Sequence, residues 1–328
     1  MHSLIARFKR SSEAYLSAVI LLIVVILGVS TPDFLTLNNW VDLIESYSVT
    51  AILAIGLFVV LVTGGIDISF AATASVSQYL AAYAATRLNL PPPLVLLVGA
   101  VVGTLLGCFN AVLIDRRRAT AIIITISTMS VYFALLMYFT GGKSIYGLPG
   151  WWSDSLVLFE LTTGPEQSVR LTLPIAVMAV VAVLTAFIMN RTSLGRQLYA
   201  MGGNPEAARR VGVHLSQMQW FAYGYLGLLA GIAGLLQAHR VGESVPNAMI
   251  GGELNVVAAA VLGGASLLGG IGTVSGVVLG ILLLAILRNG LNLLGVSPYF
   301  FQIVIGVILL ASTGITGLSL RRRRVAQT

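Results

Sequence analysis

Ala51-Ile52-Leu53-Ala54-Ile55-Gly56-Leu57-Phe58-Val59-Val60-Leu61-Val62 runs without a charged or strongly polar side chain, and Thr63-Gly64-Gly65-Ile66-Asp67-Ile68-Ser69 stops it. A bilayer-crossing helix needs about 20 predominantly apolar residues. Extended back through Ile44, past Glu45, the run gives a span of about 44–63. The glycine pair and the carboxylate then mark a break before the next apolar stretch, at about 69–86.

The same reading repeats along the chain. Further spans are predicted at about 14–30, 93–114, 120–139, 171–189, 217–238, 253–268, 273–293 and 299–318. Of 328 residues, 57% are hydrophobic and 9% charged, against roughly 25% charged in a soluble domain. So little polar surface excludes a sizeable soluble enzyme domain. Apolar runs of helical length, rather than alternating segments of about ten residues, exclude a β-barrel. The expectation is an all-α, polytopic transmembrane helical bundle of about ten spans, forming one domain over residues 1–328. The segment 253–268 is the weakest span, because Gly263, Gly264, Gly269 and Gly270 can break a helix inside protein.

The basic residues orient it. Arg7, Lys9, Arg10, Arg116, Arg117, Arg118, Arg191, Arg196, Arg209, Arg210 and Arg321 to Arg324 fall in alternate connections, fourteen of the 19 Lys and Arg. By the positive-inside rule that side is cytoplasmic, which puts both termini there and requires an even number of spans. The apolar run after Arg7 reads as a retained span rather than a signal peptide, since no small-x-small cleavage site ends it. The tail Arg321 to Arg324 reads as a charge lock against anionic lipid, not a nucleic-acid patch. On the outer side, residues 31–43 read as a surface loop that re-enters the membrane. Residues 140–170, with Trp151 and Trp152, read as an interfacial belt or a short surface helix.

Enzymatic chemistry finds no support in these residues. Cys108 is the single cysteine and reads as packing; His2, His214 and His239 have no i, i+4 pairing, so a zinc site is not expected. There is no Gly-x-Ser-x-Gly elbow and no phosphate loop, so any ATP consumed must be hydrolysed by another chain. The ionisable residues available inside the membrane are Asp67, Glu253, Glu45 and Arg288, few for an ion-coupled carrier. Asp67 and Glu253 each stand just before a helix and are read as caps. Gly99, Gly103 and Gly107, and Gly224, Gly227, Gly231 and Gly234, are spaced for close helix packing in lipid.

The segment 190–215 is long for a connection and mixes charge with small residues. Asn204 can cap a short helix with Pro205 at its first position and Glu206 in its first turn, and Gly212 can end it. Such a helix presents Ala207, Ala208 and Arg209 as a rigid knob for a partner's groove.

Glu206-Ala207-Ala208 followed by Gly212 resembles the EAA-x-x-x-G signature of bacterial ATP-binding-cassette importer permeases. Leu194-Gly195-Arg196 through Gly212 looks like the loop of the ribose, galactose and autoinducer-2 type permeases. Gly64-Gly65-Ile66-Asp67-Ile68-Ser69 suggests the same branch. So do Glu253-Leu254 leading into Ala258-Ala259-Ala260-Val261-Leu262-Gly263-Gly264-Ala265-Ser266-Leu267-Leu268-Gly269-Gly270, and Asn289-Gly290-Leu291-Asn292-Leu293-Leu294-Gly295-Val296. Four ordered blocks over residues 30–318 are far more specific than any one. Phe70 and Ala71 depart from the usual residues after the Asp motif.

The resemblance implies an inner-membrane permease paired with a second permease, as homodimer or heterodimer. A periplasmic sugar-binding protein serves the pair, and a cytoplasmic ATPase that holds ATP and Mg drives it; no cofactor is expected on this chain. Carried over residue by residue, Leu194, Gly195, Arg196, Asn204, Glu206, Ala207, Ala208, Arg209 and Gly212 would couple to the ATPase. Gly64, Gly65, Asp67, Glu253, Asn255, Gly263 and Gly264 would form helix breaks or pathway. Gln78, Asn110 and Asn292 would offer polar contacts to a solute. The match also implies an inverted repeat, spans two to five against seven to ten, with the glycine pairs at 64 and 263 in comparable places. The expected cargo is a monosaccharide or small polyol such as ribose, rhamnose or autoinducer-2; Thr140-Gly141-Gly142-Lys143 with Gly147-Leu148-Pro149 resembles the rhamnose and autoinducer-2 branch. A branched-chain amino acid permease and an ion-coupled secondary transporter are the competing expectations.

Overall fold

The computed structural model describes residues 12–117, 120–154, 156–164, 167–297, 299–304, 306, 307 and 310. The chain is a multi-pass membrane protein built mainly of helices. In order these are α1 (Ser12–Ser30), α2 (Leu37–Val62), α3 (Phe70–Thr86), α4 (Pro92–Arg117), α5 (Ala121–Thr140) and the short α6 (Gly150–Ser153), followed after a β-hairpin by α7 (Leu173–Arg191), α8 (Ser193–Gly203) and α9 (Pro205–Arg210). The remainder are α10 (Leu215–Val241), α11 (Glu253–Leu262) and α12 (Val274–Leu293). Among the described residues, seven helices are long and apolar enough to cross a bilayer: α1, α2, α4, α5, α7, α10 and α12. At 17 residues α3 falls just short of that length.

Burial sorts the helices into layers. α2 and α10 are enclosed and form the core, while α1, α4, α5 and α7 leave most of their residues outward. Outward-facing Leu21, Leu105, Ile123 and Val183 form the apolar rim expected against lipid. Because lipid is as apolar as leucine, helices here associate through close packing rather than through the hydrophobic effect. The α4–α10 contact shows it: a Cβ on Gly103 would run into the Gly227 carbonyl, one on Gly107 into the Tyr223 carbonyl, and one on Gly231 into the Gly99 carbonyl. The expected packing role of these glycines is therefore realised, and Cys108 packs where a Cβ on Gly224 would meet it.

Several expectations are corrected. The bundle is not purely α, because Val157–Gly164 and Gln167–Thr172 pair as an antiparallel hairpin, β1–β2. Residues 31–43 are not a loop: a 3-10 turn at Pro32–Leu35 leads directly into α2, with Thr36 capping the Asn39 amide at 3.3 Å. The predicted 253–268 span is a ten-residue helix, too short to cross, that ends at Leu262. The predicted 299–318 span lies largely outside the described residues, of which 299–304 are helical. A short helix does carry Trp151 and Trp152, but Trp152 is docked into the bundle, its Nε1 donating to the Leu235 carbonyl at 3.0 Å.

Candidate functional site

The knob follows from local capping chemistry. Thr192 accepts a hydrogen bond from the Gly195 amide at 3.2 Å and starts α8 as α7 ends. Asn204 ends α8 and starts α9: its Oδ1 accepts from the Ala207 amide at 3.0 Å, with Pro205 at the first helical position. Gly212 closes the turn at φ +89°, a left-handed conformation that a side chain would strain. Glu206, Ala207, Arg209 and Gly212 are exposed, Arg196 is exposed on α8, Gly195 is buried and Leu194 half-buried. Ala208 departs from expectation. It is turned inward and 3% exposed, because it lies on the face that α9 lays against the bundle.

Above the knob three glycine pairs meet. A Cβ on Gly202 would overlap the Val62 carbonyl at the end of α2, and the Gly270 amide donates to that same carbonyl at 2.8 Å. A Cβ on Gly269 would lie 2.8 Å from the Gly64 Cα, and one on Gly270 2.9 Å from the Gly203 Cα. Tyr199 on α8 adds a hydrogen bond to the Gly272 carbonyl at 2.8 Å. The breaks at 63–69 and 263–272 therefore lie side by side on the knob. Gly64 and Gly264 both close their helices at positive φ, +83° and +90°. Gly263 serves helix packing, since a Cβ there would meet the Gly276 carbonyl of α12.

Behind the first break lies a buried polar cluster. Asp67 is 2% exposed. Its Oδ1 accepts from both the amide and the hydroxyl of Ser69, each at 2.7 Å. Asn110 Nδ2 donates to Ser69 Oγ at 2.7 Å, and Tyr132 Oη donates to Asn110 Oδ1 at 3.3 Å. Asp67 therefore closes the turn before α3 rather than capping the helix as expected: Ser69 is the N-cap, and the first amides of α3 receive no side-chain cap. Glu253 does the same: its carboxylate accepts from the Gly251 amide, at 3.1 and 3.0 Å, and so closes the preceding loop rather than capping α11.

The expected polar contacts divide between two ends. Asn110 is committed to Ser69, and Gln78 donates to the Val245 carbonyl at 2.6 Å. Asn255 and Asn292 instead line two adjoining cavities at the end of the bundle away from the knob. Tyr47, Arg288 and Phe301 line both, and of these the sequence had marked Arg288 alone, as an ionisable residue within a span. Nothing in the local pattern separated Tyr47 from the other aromatic residues.

A family model described as branched-chain amino acid transport system / permease component matches residues 39–313. Among known proteins, a ribose import permease protein of Haemophilus influenzae is 32% identical over 94% of this chain and 93% of its own length. That of Escherichia coli K12 is 33% identical over 89% of each chain. The galactose/methyl galactoside import permease protein of Salmonella typhimurium is 31% identical over 95% of this chain and 96% of its own. No solved structure matches.

Proposed function

Because the chain belongs to the branched-chain amino acid transport system / permease component family, we propose that it is the membrane-spanning subunit of an ATP-driven sugar importer. In this reading it lies in the bacterial inner membrane with about ten spans and both termini in the cytoplasm. A second permease, a cytoplasmic ATPase and a periplasmic sugar-binding protein complete the importer. The transported solute is a monosaccharide or small polyol. Similarity to ribose and galactose/methyl galactoside permeases along nearly the whole chain carries the reading. The family description favours a branched-chain amino acid as the second reading; the full-length sugar relatives weigh against it.

The knob supplies the mechanism. A compact pair of helices, exposed at Glu206, Ala207 and Arg209, docks on the ATPase, whose ATP and Mg lie outside this chain. Closing the ATPase pair on ATP moves the knob. Because Gly202 and Gly203 pack without intervening side chains on both helix breaks, that movement passes directly to α2 and to the turn before α12. ATP thus stabilises one of two arrangements of the bundle, and hydrolysis returns the other. An ion-coupled carrier is disfavoured because the two carboxylates buried among the described residues, Asp67 and Glu253, are each occupied by hydrogen bonds to neighbouring backbone amides.

The test is reconstitution with the cognate ATPase and binding protein in proteoliposomes. Uptake of ribose, galactose or rhamnose that requires both partners and ATP is expected. Uptake by this chain alone under a proton or sodium gradient, or ATP-driven uptake of leucine rather than of any sugar, would sink the proposal.

A further inference from the structure

A groove of about 450 Å³ runs between α3 and α5, with Leu106 of α4 in its wall. α5 starts beside the first helix break, where Thr125 Oγ1 donates to the Ile66 carbonyl at 3.3 Å, and Phe139 and Thr140 are its last residues. The groove therefore lies toward the end of the bundle away from the knob. Leu80, Tyr83, Leu135 and Phe139 are exposed while Tyr132 and Leu136 are buried, so it opens sideways, into the layer where lipid lies. Its walls are almost wholly apolar, and none of the lining residues is charged. In a bilayer that alone selects nothing, because lipid tails are as apolar as leucine.

Selection comes from the mouth. Val76, Leu80, Tyr83 and Arg87 recur at helical spacing and share one face of α3. Arg87 prolongs that helix, its amide donating to the Tyr83 carbonyl at 2.9 Å, and its charge acts on the Tyr79 hydroxyl. From the other wall the chain turns at Gly141 and Gly142, both at positive φ, and brings Lys143 over α3, where its carbonyl accepts from Tyr79 Oη at 3.1 Å. Both basic residues are exposed, and neither forms an ion pair among the described residues. Two unpaired cations thus border the outer end of an uncharged apolar slot.

That combination favours a lipid over a second permease. A protein seated here would take both charges out of water with no carboxylate in the groove to pair them, which is costly. A phospholipid leaves them at the water's edge against its phosphate, to which a guanidinium makes directional, charge-assisted hydrogen bonds. The rings of Tyr79, Tyr83 and Tyr132 offer flat apolar faces to a methylene chain. We propose that the groove seats one anionic phospholipid, its headgroup held by Arg87 and Lys143 and one acyl chain lying against Tyr132. Such a lipid braces more than the rim. Tyr132 Oη donates to Asn110 Oδ1 at 3.3 Å and Asn110 to Ser69 Oγ at 2.7 Å, so a chain that fixes Tyr132 also steadies the start of α3 behind the helix break. The seat is independent of which solute the permease carries.

The experiment uses the purified full-length permease in detergent, offered dioleoyl phosphatidylglycerol and dioleoyl phosphatidylcholine at equal concentration, with retained lipid read by native mass spectrometry. Wild type is expected to keep the phosphatidylglycerol in preference. Arg87→Gln and Lys143→Gln should each lower that preference about fivefold. Leu80→Trp, which fills the slot, should lower retention of both lipids; if it does not fold, Leu135→Trp tests the same point from the opposite wall. Phosphatidylglycerol should also raise the melting temperature of wild type more than that of any of these variants. No preference in wild type, or a preference that survives loss of both charges, overturns the headgroup site. Undiminished retention in a folded slot-filling variant overturns the acyl seat. Loss of a second permease instead of lipid in that variant assigns the groove to an interface between copies and overturns the proposal.

Discussion

The Gly270 amide hydrogen-bonds the Val62 carbonyl at 2.8 Å, and Gly202 lies over the same carbonyl with no room for a methyl group. One backbone oxygen therefore joins the end of α2, the turn before α12 and the end of α8. Gly202→Ala must displace backbone rather than a flexible side chain. We expect a cost of about 1–3 kcal/mol and a lower melting temperature of the purified permease. ATP hydrolysis should persist while ATP-dependent uptake is lost. Wild-type uptake per ATP in this variant would show that the contact transmits nothing.

Asn204 separates two helices by serving both. Asn204→Ala removes the acceptor for the Ala207 amide and should destabilise α9 by about 1 kcal/mol. Six residues of helix have little else to hold them. Affinity of the permease for its ATPase should weaken, measured by titration in detergent. Asn204→Asp keeps the cap and should restore it; equal weakening in both variants would assign the effect to something other than the cap.

Ala207 and Ala208 face opposite ways, one exposed and the other 3% exposed. In a Cys108→Ser background, Ala207→Cys should react with a membrane-impermeant maleimide and Ala208→Cys should not. Labelling should occur in inside-out vesicles and fail in intact spheroplasts, and assembly with the ATPase should protect position 207. Labelling from the outer side would reverse the proposed topology.

What the sequence revealed and what it hid follow one physical division. The Asn204-Pro205-Glu206 to Gly212 helix was legible because caps act between residues close along the chain. The span from α2 and the glycine faces of α4 and α10 were legible because membrane packing demands long apolar runs and small residues. The inward turn of Ala208 was hidden, since it depends on where α9 lies against the bundle. So was the meeting of Gly202 with Val62, a contact between segments far apart in sequence. The β1–β2 hairpin carried a local signal, β-branched residues ahead of Gly164-Pro165, which the neighbouring tryptophans overshadowed. Tyr47 and Asn255 share a cavity only because α2 and α11 pack together.

Asp67 separates the importer reading from ion coupling. Its carboxylate accepts from Ser69 and is held near Asn110, so it organises the start of α3. Asn110→Leu leaves Ser69 Oγ and Tyr132 Oη without their amide partner, and should cost about 1–3 kcal/mol of stability. Asp67→Asn keeps one acceptor oxygen for the Ser69 amide and should be milder, with ATP-driven uptake reduced but present. If Asp67 carried a coupling ion, the same change would abolish accumulation while leaving the fold intact, because an amide cannot exchange a proton or balance a cation's charge. A thermal-stability scan beside the uptake assay distinguishes the two. Loss of stability matched by loss of uptake across Asp67→Asn and Asn110→Leu marks a structural cluster, whereas loss of uptake at wild-type stability in Asp67→Asn alone marks an ion site.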